Sequence, residues 1–399
     1  MQSWVAESMR SVLIAMVCVS LMLIPSVSAD LITRIELRDA GVLADQDLGI
    51  KTGAVSPDGM DVLIAGADGY ARLLSADEAD NRAMDVELLT GRSSTIHHVD
   101  WHPRGNTALL VGDDGLAMRY DSYDHGITNV NGSFAVFGKG LTAVSWRPAG
   151  DFAYVGADDG SLWKFAEHTG FEALENNGLS EITDIDCHRN YNVCFITTMD
   201  EGIAVIDKGH DVTWIAQTSA QTWVGVDCAD PTLNECAAFA SGLRIQAIRI
   251  NTIDASQSEV TRDPLLPKLP SGEQIGVDGG HDGTTLVKMA PLSILRHNPM
   301  GNDVYTVLMA EDAALWDEII AGRPLAMVWE TSTNNGYMIT AFGNVVAFSP
   351  VVEGVDGGIM TVLVLGAVAI SVPGVVLGLI YMNSPWLQKK YNQWRFKSK

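Results

Sequence analysis

Basic residues are scarce in this sequence. Lysine and arginine number 26 against 49 aspartates and glutamates, and the formal net charge is −23. An acidic surface of this kind repels nucleic acid and anionic lipid head groups, so a nucleic-acid partner is not expected. The imbalance is uneven along the chain. The first 29 residues carry only Glu7 and Arg10, whereas the stretch from Asn383 onward carries Lys389, Lys390, Arg395, Lys397 and Lys399. By the difference between −23 and +5, the segment between holds about −28. The simple consequence is solubility; the sharper one is attraction of cations or of a basic partner. Cysteine is also sparse, five in 399 residues, and shows no CxxC spacing, which argues against a zinc site. A nucleophile elbow, a zincin helix, a P-loop and a dinucleotide fingerprint are all missing. No catalytic, cofactor-binding or metal-ligating residue is therefore assigned, and no cofactor is expected.

Two apolar stretches frame the chain. Ser11 to Ile24 (SVLIAMVCVSLMLI) follows Arg10, is broken by Pro25, and leads to Val27-Ser28-Ala29. A short apolar run followed by small residues is the layout of a secretory signal, here residues 1–29 with cleavage after Ala29. A membrane span needs about 20 apolar residues, so the run is short for an anchor. Gly357 to Met382 contains no charged residue and is long enough to cross a bilayer. Residues 357–382 are read as one transmembrane helix, preceded by a linker (351–356) and followed by a basic tail (383–399). By the positive-inside rule the tail is cytoplasmic and residues 30–350 are extracytoplasmic, a single-pass type I arrangement in the cell membrane. Gly374 and Gly378 form a GxxxG pair through which a membrane-embedded partner could approach. Pro373 is expected to kink the span.

The middle is repetitive. Ala54–Ala76, His98–Ser122 and Ala143–Glu167 share one grammar: an apolar strand, a Pro-x-Gly turn, a small-and-apolar strand, an Asp-Gly turn, and a strand carrying aromatic or aliphatic residues. Pro57, Pro103 and Pro148 are spaced 46 and 45 apart. The pairs Asp68-Gly69, Asp114-Gly115 and Asp159-Gly160 suit tight hairpins, because glycine accepts positive φ without a Cβ clash. More divergent copies run over Ile182–Asp207, Val224–Ile248, Ser293–Glu318 and Ala326–Pro350, which makes seven candidate blades. Ala83–Leu89, Ser133–Gly138 and Asp211–Gln217 are candidate outer strands. The seventh copy lacks one, and Leu31–Leu37 is placed to supply it and close a ring. The stretch of about 251–292 is read as an insertion, with an eighth, degenerate blade as the alternative. The fold class is all-β, a seven-bladed β-propeller with a signal peptide and one C-terminal transmembrane helix.

These units resemble the WD-repeat family. The turns SPDG, HPRG and RPAG sit where that family has Ser-Pro-Asp-Gly. Trp316-Asp317 sits at its Trp-Asp position, with Tyr120-Asp121 and Trp163-Lys164 in the same place. The family's Gly-His pair is missing: Gly91 is followed by Arg92. The resemblance implies a propeller whose loops bind proteins.

Cys18 falls in the signal segment, and the other four cysteines allow three pairings. Six residues lie between Cys187 and Cys194, and seven between Cys228 and Cys236, at matching places in consecutive copies. Such positions can face each other across an antiparallel hairpin, and an exported domain retains disulfides. The expected pairs are Cys187–Cys194 and Cys228–Cys236, the alternative being four buried thiols. Two places could hold a ligand or cation: His97-His98, read as a loop before the first strand of blade two, and the cluster of Asp278, His281 and Asp282. A plain loop is the alternative at both. Trp101 and Trp146 are read as packing residues between blades. The function expected is a membrane-anchored interaction scaffold, or a subunit of a membrane or envelope complex, with protein partners. The alternative is an enzyme or a small-ligand or cation receptor with its site in the channel.

Overall fold

The computed structural model describes residues 33–260, 265, 272–316, 323–351, 378 and 381–396. The signal segment and nearly all of residues 357–382, Gly374 included, lie outside these. Among the described residues no helix is long and apolar enough to cross a membrane. The chain divides into two compact units after Pro350. The described part of the second includes the helix Pro385–Phe396, whose first residue is a proline and whose Leu387 amide donates to Ser384 Oγ (3.4 Å).

The first unit is built of seven four-stranded antiparallel sheets, the blades of a propeller. From the innermost strand outward, blade one holds Ile50–Val55, Asp61–Gly66, Ala71–Ser75 and Val86–Glu87. Blade two holds Ile96–Trp101, Thr107–Gly112, Leu116–Asp121 and Gly126–Asn129. Blade three holds Leu141–Trp146, Ala153–Ala157, Leu162–Ala166 and Gly170–Ala173. Blade four holds Ile182–Cys187, Cys194–Thr198, Ile203–Ile206 and Val212–Trp214. Blade five holds Trp223–Asp227, Glu235–Ala240, Arg244–Arg249 and Glu259–Val260. Blade six holds Glu273–Gly279, Thr285–Ala290, Ser293–Asn298 and Asp303–Leu308. Blade seven holds Leu325–Ser332, Asn335–Thr340 and Asn344–Pro350, and its outer strand is Ile35–Val42 from the start of the domain. The register Ile35↔Pro350, Leu37↔Phe348, Asp39↔Val346 closes the ring. The closing strand begins four residues later than Leu31–Leu37, the segment the alternation marks.

The apolar alternation decides how the blades stack. Each sheet buries both faces, so the core lies between blades. Leu63 and Ala65 of blade one pack with Val99, Trp101, Leu110 and Tyr120 of blade two. Trp329 and Tyr337 of blade seven pack with Leu74, Ala76 and Ala79 of blade one. Each such large side chain contributes roughly 1.5–3 kcal/mol on burial. Trp101 and Trp146, 4% and 5% exposed, do sit at blade interfaces, and Trp101 Nε1 donates to Ala54 O of the previous blade (2.9 Å). The Pro-x-Gly turns are β-turns joining the first and second strands: Gly59, Gly105 and Gly150 donate to Ser56 O, His102 O and Arg147 O at 2.7–2.8 Å, with φ of 75°, 76° and 69°.

Several expectations are corrected. Ser133–Val136 is a 3-10 turn in the connection to blade three, and blade two's outer strand is Gly126–Asn129. The regular spacing of apolar residues in SFAVFG does not distinguish one tight turn from a short strand. Residues 251–292 are not an insertion: they hold the outer strand of blade five and the two inner strands of blade six. The copy at Ser293–Glu318 therefore supplies the two outer strands of blade six, and its Pro-x-Gly turn joins the third strand to the fourth. Trp316 lies in a 3-10 turn beyond the last strand of blade six, so Trp316-Asp317 does not occupy the Trp-Asp position; Asp317 is outside the described residues. Counted from the hairpin glycines, the equivalent of Tyr120 is Phe165, not Trp163. The described sheets make seven blades, with no eighth.

Candidate functional site: a carboxylate-lined channel

The innermost strands surround a channel, and all seven share one irregularity. Each pairs with its neighbour through a bulge near its start, after Ile50, Ile96, Leu141, Ile182, Trp223, Gln274 and Leu325. A bulge bends a strand and re-aims the side chains beyond it. The inner strand also has an edge with no strand beyond it, and its amides need acceptors.

Aspartates meet that need. Asp100 of blade two accepts from Trp146 N of blade three (2.7 Å). Asp184 and Asp186 of blade four accept from Val226 N (3.0 Å) and Cys228 N (2.6 Å) of blade five, and from Ile185 N and Cys187 N on their own strand (both 2.8 Å). Asp278 of blade six accepts from Val328 N of blade seven (2.9 Å). At blade three a threonine reverses the sense: Thr142 Oγ1 donates to Ile182 O of blade four (2.6 Å). His98 Nδ1 accepts from Val144 N (3.2 Å). The blades are thus joined across the channel wall by side-chain-to-backbone bonds.

The electrostatics follow from depth. Removal from water raises every one of these carboxylates, Asp100 to about 7, Asp184 to about 8 and Asp227 to about 7. Asp186 and Asp278 are also raised, chiefly by burial. The carboxylates add to one another: Asp186 raises Asp100, Asp184 and Asp227. Burial pushes His98 down to about 4, so its ring is neutral. Its Nε2 lies 3.9 Å from Asp184 Oδ1, spanning blades two and four. Lys288 comes from the second strand of blade six. Gly276 makes room for it, since a Cβ there would lie 3.1 Å from Lys288 Cε. Its ammonium bonds Asp278 (3.0 Å) and Ala326 O (2.9 Å). Asp227 differs from the others: it bonds no backbone amide of the next blade, and the Thr285 hydroxyl of blade six beside it favours its charged form against burial.

The expected ligand residues separate. His97 and His98 are not in a loop but within the inner strand of blade two. His97, the bulge residue, pairs with Asp113 (2.7 Å) beside the channel entrance, while His98 faces the channel wall. Asp278 is in the channel, whereas His281 and Asp282 lie on the turn after it, where Asp282 takes φ 57° and accepts from Thr333 Oγ1 (2.8 Å). Among the described residues no group of three or more His, Cys, Asp or Glu is arranged to hold a metal ion. The expected disulfides are both present, Cys187–Cys194 and Cys228–Cys236. Cys187 and Cys194 are direct cross-strand partners, and the bond pins the two inner strands of blade four beside Asp186.

Sequence reasoning missed the other channel carboxylates, although they have a signal. The dipeptides Val99-Asp100, Ile185-Asp186, Val226-Asp227 and Val277-Asp278 recur near the ends of four inner strands. A second repeated device follows them: His102 Nε2 and His188 Nε2 bond Gly150 O and Leu233 O of the next blade (2.9 Å each). No family model matches this chain, and no curated protein matches it.

Proposed function

We propose that this chain is a membrane-anchored, extracytoplasmic propeller that serves as an interaction scaffold, a subunit of a membrane or envelope complex. The observation that carries the reading is the use to which the channel groups are put. Asp100, Asp184, Asp186, Asp278 and His98 all bond the backbone of a neighbouring blade. Their work is to hold the ring rigid, which leaves the exposed loops to make contacts with other molecules. The resemblance of the early repeats to WD-repeat proteins supports a protein-binding role. The uncharged run Gly357–Met382 supports anchoring, with Gly374 and Gly378 as an approach surface for another membrane helix. The two disulfides suit an oxidising compartment. The test is affinity purification of the tagged full-length protein at native abundance in mild detergent. A stoichiometric protein partner is expected; a lone monomer would remove the basis for the proposal. Sequencing of the mature N-terminus should begin at Asp30.

One observation favours a second reading, a small ligand or cation held in the channel. Acids and a histidine converge there from blades two, four, five and six, close enough for Asp186 to raise Asp100, Asp184 and Asp227. Calorimetric titration with divalent cations, comparing the wild type with Asp227→Asn, decides it: heat lost in the variant supports a channel ligand, and no heat in either excludes divalent cations.

A further inference from the structure

In each blade the second-to-third hairpin and the connection to the next blade lie on the same face of the ring, because antiparallel strands return the chain there. On that face Leu315 is exposed in the connection after blade six, and a run of such side chains occurs on the early blades. The three connections that follow blades one, two and three carry Leu89, Phe134 with Phe137, and Leu179, which are 84%, 89%, 75% and 90% exposed. Phe134 and Phe137 stack on each other with centroids 6.4 Å apart. The connections are linked sideways. Arg92 of the first bonds Asn129 on the outer strand of blade two (2.9 Å). Gly132, at the start of the second, lies against Gly170 of blade three. Exposed apolar side chains thus stand on one face at three successive connections.

The hairpins beside this arc are acidic. Asp68, Asp114, Asp158 and Asp200, one from each of blades one to four, are exposed at or next to the tips. The corresponding hairpins of blades five, six and seven, around Gly242, Pro291 and Gly343, contain no acidic residue. The opposite face has exposed apolar side chains too, Met60 and Tyr123 on blades one and two and Ile253 and Met300 on blades five and six. An apolar arc of this kind marks an interaction site when it is contiguous and rimmed by polar groups, and the sign of the rim selects the charge of what binds.

We propose that the apolar arc of Leu89, Phe134, Phe137 and Leu179, flanked by acidic hairpin tips, docks a cationic amphipathic segment of a partner protein. The proposal rests on the scaffold reading and names the chemistry of the partner. Leucine-like side chains of the segment cover the arc, and its lysines or arginines meet the aspartates.

The probe is a short helical peptide with leucine on one face and lysine on the other, titrated by fluorescence anisotropy into the full-length chain carried in phosphatidylcholine nanodiscs, with empty discs as the blank. The wild type should bind it, with affinity falling as salt rises. F134S/F137S should weaken binding by at least about tenfold. D68N/D114N/D158N/D200N should weaken it and flatten the salt dependence. Y123S/I253S, which removes equally exposed side chains from the other face, should bind as the wild type does. All substituted side chains are exposed, and unchanged circular dichroism confirms the fold of each variant. Equal binding by F134S/F137S, equal loss in Y123S/I253S, or preference for a leucine–glutamate peptide overturns the proposal. Affinity purification separates this from the scaffold reading. If F134S/F137S retains the native partner in full, the arc is not the docking site and the scaffold stands. If the wild type captures no partner, the scaffold reading fails while the peptide titration still decides the chemistry of the arc.

Discussion

Replacing Glu330 tests how the closing blade is held to its neighbour. Arg296 of blade six and Glu330 of blade seven form an ion pair whose side chains are 1% and 0% exposed. Glu330 also accepts from His281 N (2.8 Å) and Asn334 N (2.7 Å), and Arg296 donates to Asn334 Oδ1 (3.0 Å). Glu330→Gln keeps the volume but removes the charge, and turns one acceptor into a donor facing a backbone N–H. It leaves the Arg296 guanidinium buried without the carboxylate it contacts. Breaking a buried pair from one side costs about 3–5 kcal/mol. For a domain of about 320 residues, at roughly 2.1 cal/mol/K per residue, the unfolding entropy is about 0.67 kcal/mol/K, so the midpoint should fall by about 4–8 °C. Differential scanning fluorimetry at neutral pH measures this, with chemical denaturation for the free energy. The double variant Arg296→Met/Glu330→Met removes both charges together and should lose less than Glu330→Gln does. A midpoint within about 1 °C of wild type for Glu330→Gln, or a double variant worse than either single one, would refute the argument that charge burial ties blade six to blade seven.

Three further outcomes are expected. The channel carboxylates Asp100, Asp184 and Asp227 are raised from the ordinary value to about 7, 8 and 7. The folded state thus holds protons that the unfolded chain has released, and stability should fall as pH rises from 6.5 to 8. Below 6.5, His98, pushed down to about 4, opposes this in part because the unfolded chain gains its proton first. Denaturant midpoints across that range should slope downward, less steeply in Asp184→Asn; a rising slope contradicts the account. The disulfides close loops between residues 7 and 8 apart in sequence, and replacing either pair by alanine should cost about 2–3 kcal/mol; nonreducing mass mapping that finds any of the four thiols free would contradict the pairing. Ile35 is 3% exposed on the closing strand, so Ile35→Ala should cost about 2–5 kcal/mol by denaturation, and no measurable loss would mean that the N-terminal strand does not close the ring.

How far the fold could be read from the residues depended on the turns. Where a blade carries a Pro-x-Gly turn and an Asp-Gly hairpin, as around Pro57 and Asp68, local chemistry alone marks both strand ends. Blade six shows the limit. Its Pro-x-Gly turn, Pro299 to Gly301, joins the third and fourth strands, and reading it as the first turn displaced the blade by two strands. The bulge after Gln274 changes which side chains of Glu273–Gly279 share a face, so the strict alternation that flags a half-buried strand is lost. The outer strands, two residues long in blades one and five, leave equally faint traces.

The sequence by itself pointed to the strand-and-turn period, to a ring of seven or eight blades closed by the N-terminal segment, and to the two cysteine pairs. Each depends on residues close along the chain or on a repeat that keeps its spacing. Only the tertiary structure decided what the aspartates do. Asp100 and Asp186 read as isolated polar residues at the ends of apolar strands and Asp278 as part of a cluster with His281 and Asp282, whereas their partners, Trp146 N, Cys228 N and Val328 N, lie more than 40 residues onward. Such bonds exist only because the ring brings consecutive inner strands side by side, with edge amides that no other strand can satisfy. The apolar arc has the same origin: Leu89, Phe134 and Leu179 stand in succession on one face only when their blades are neighbours.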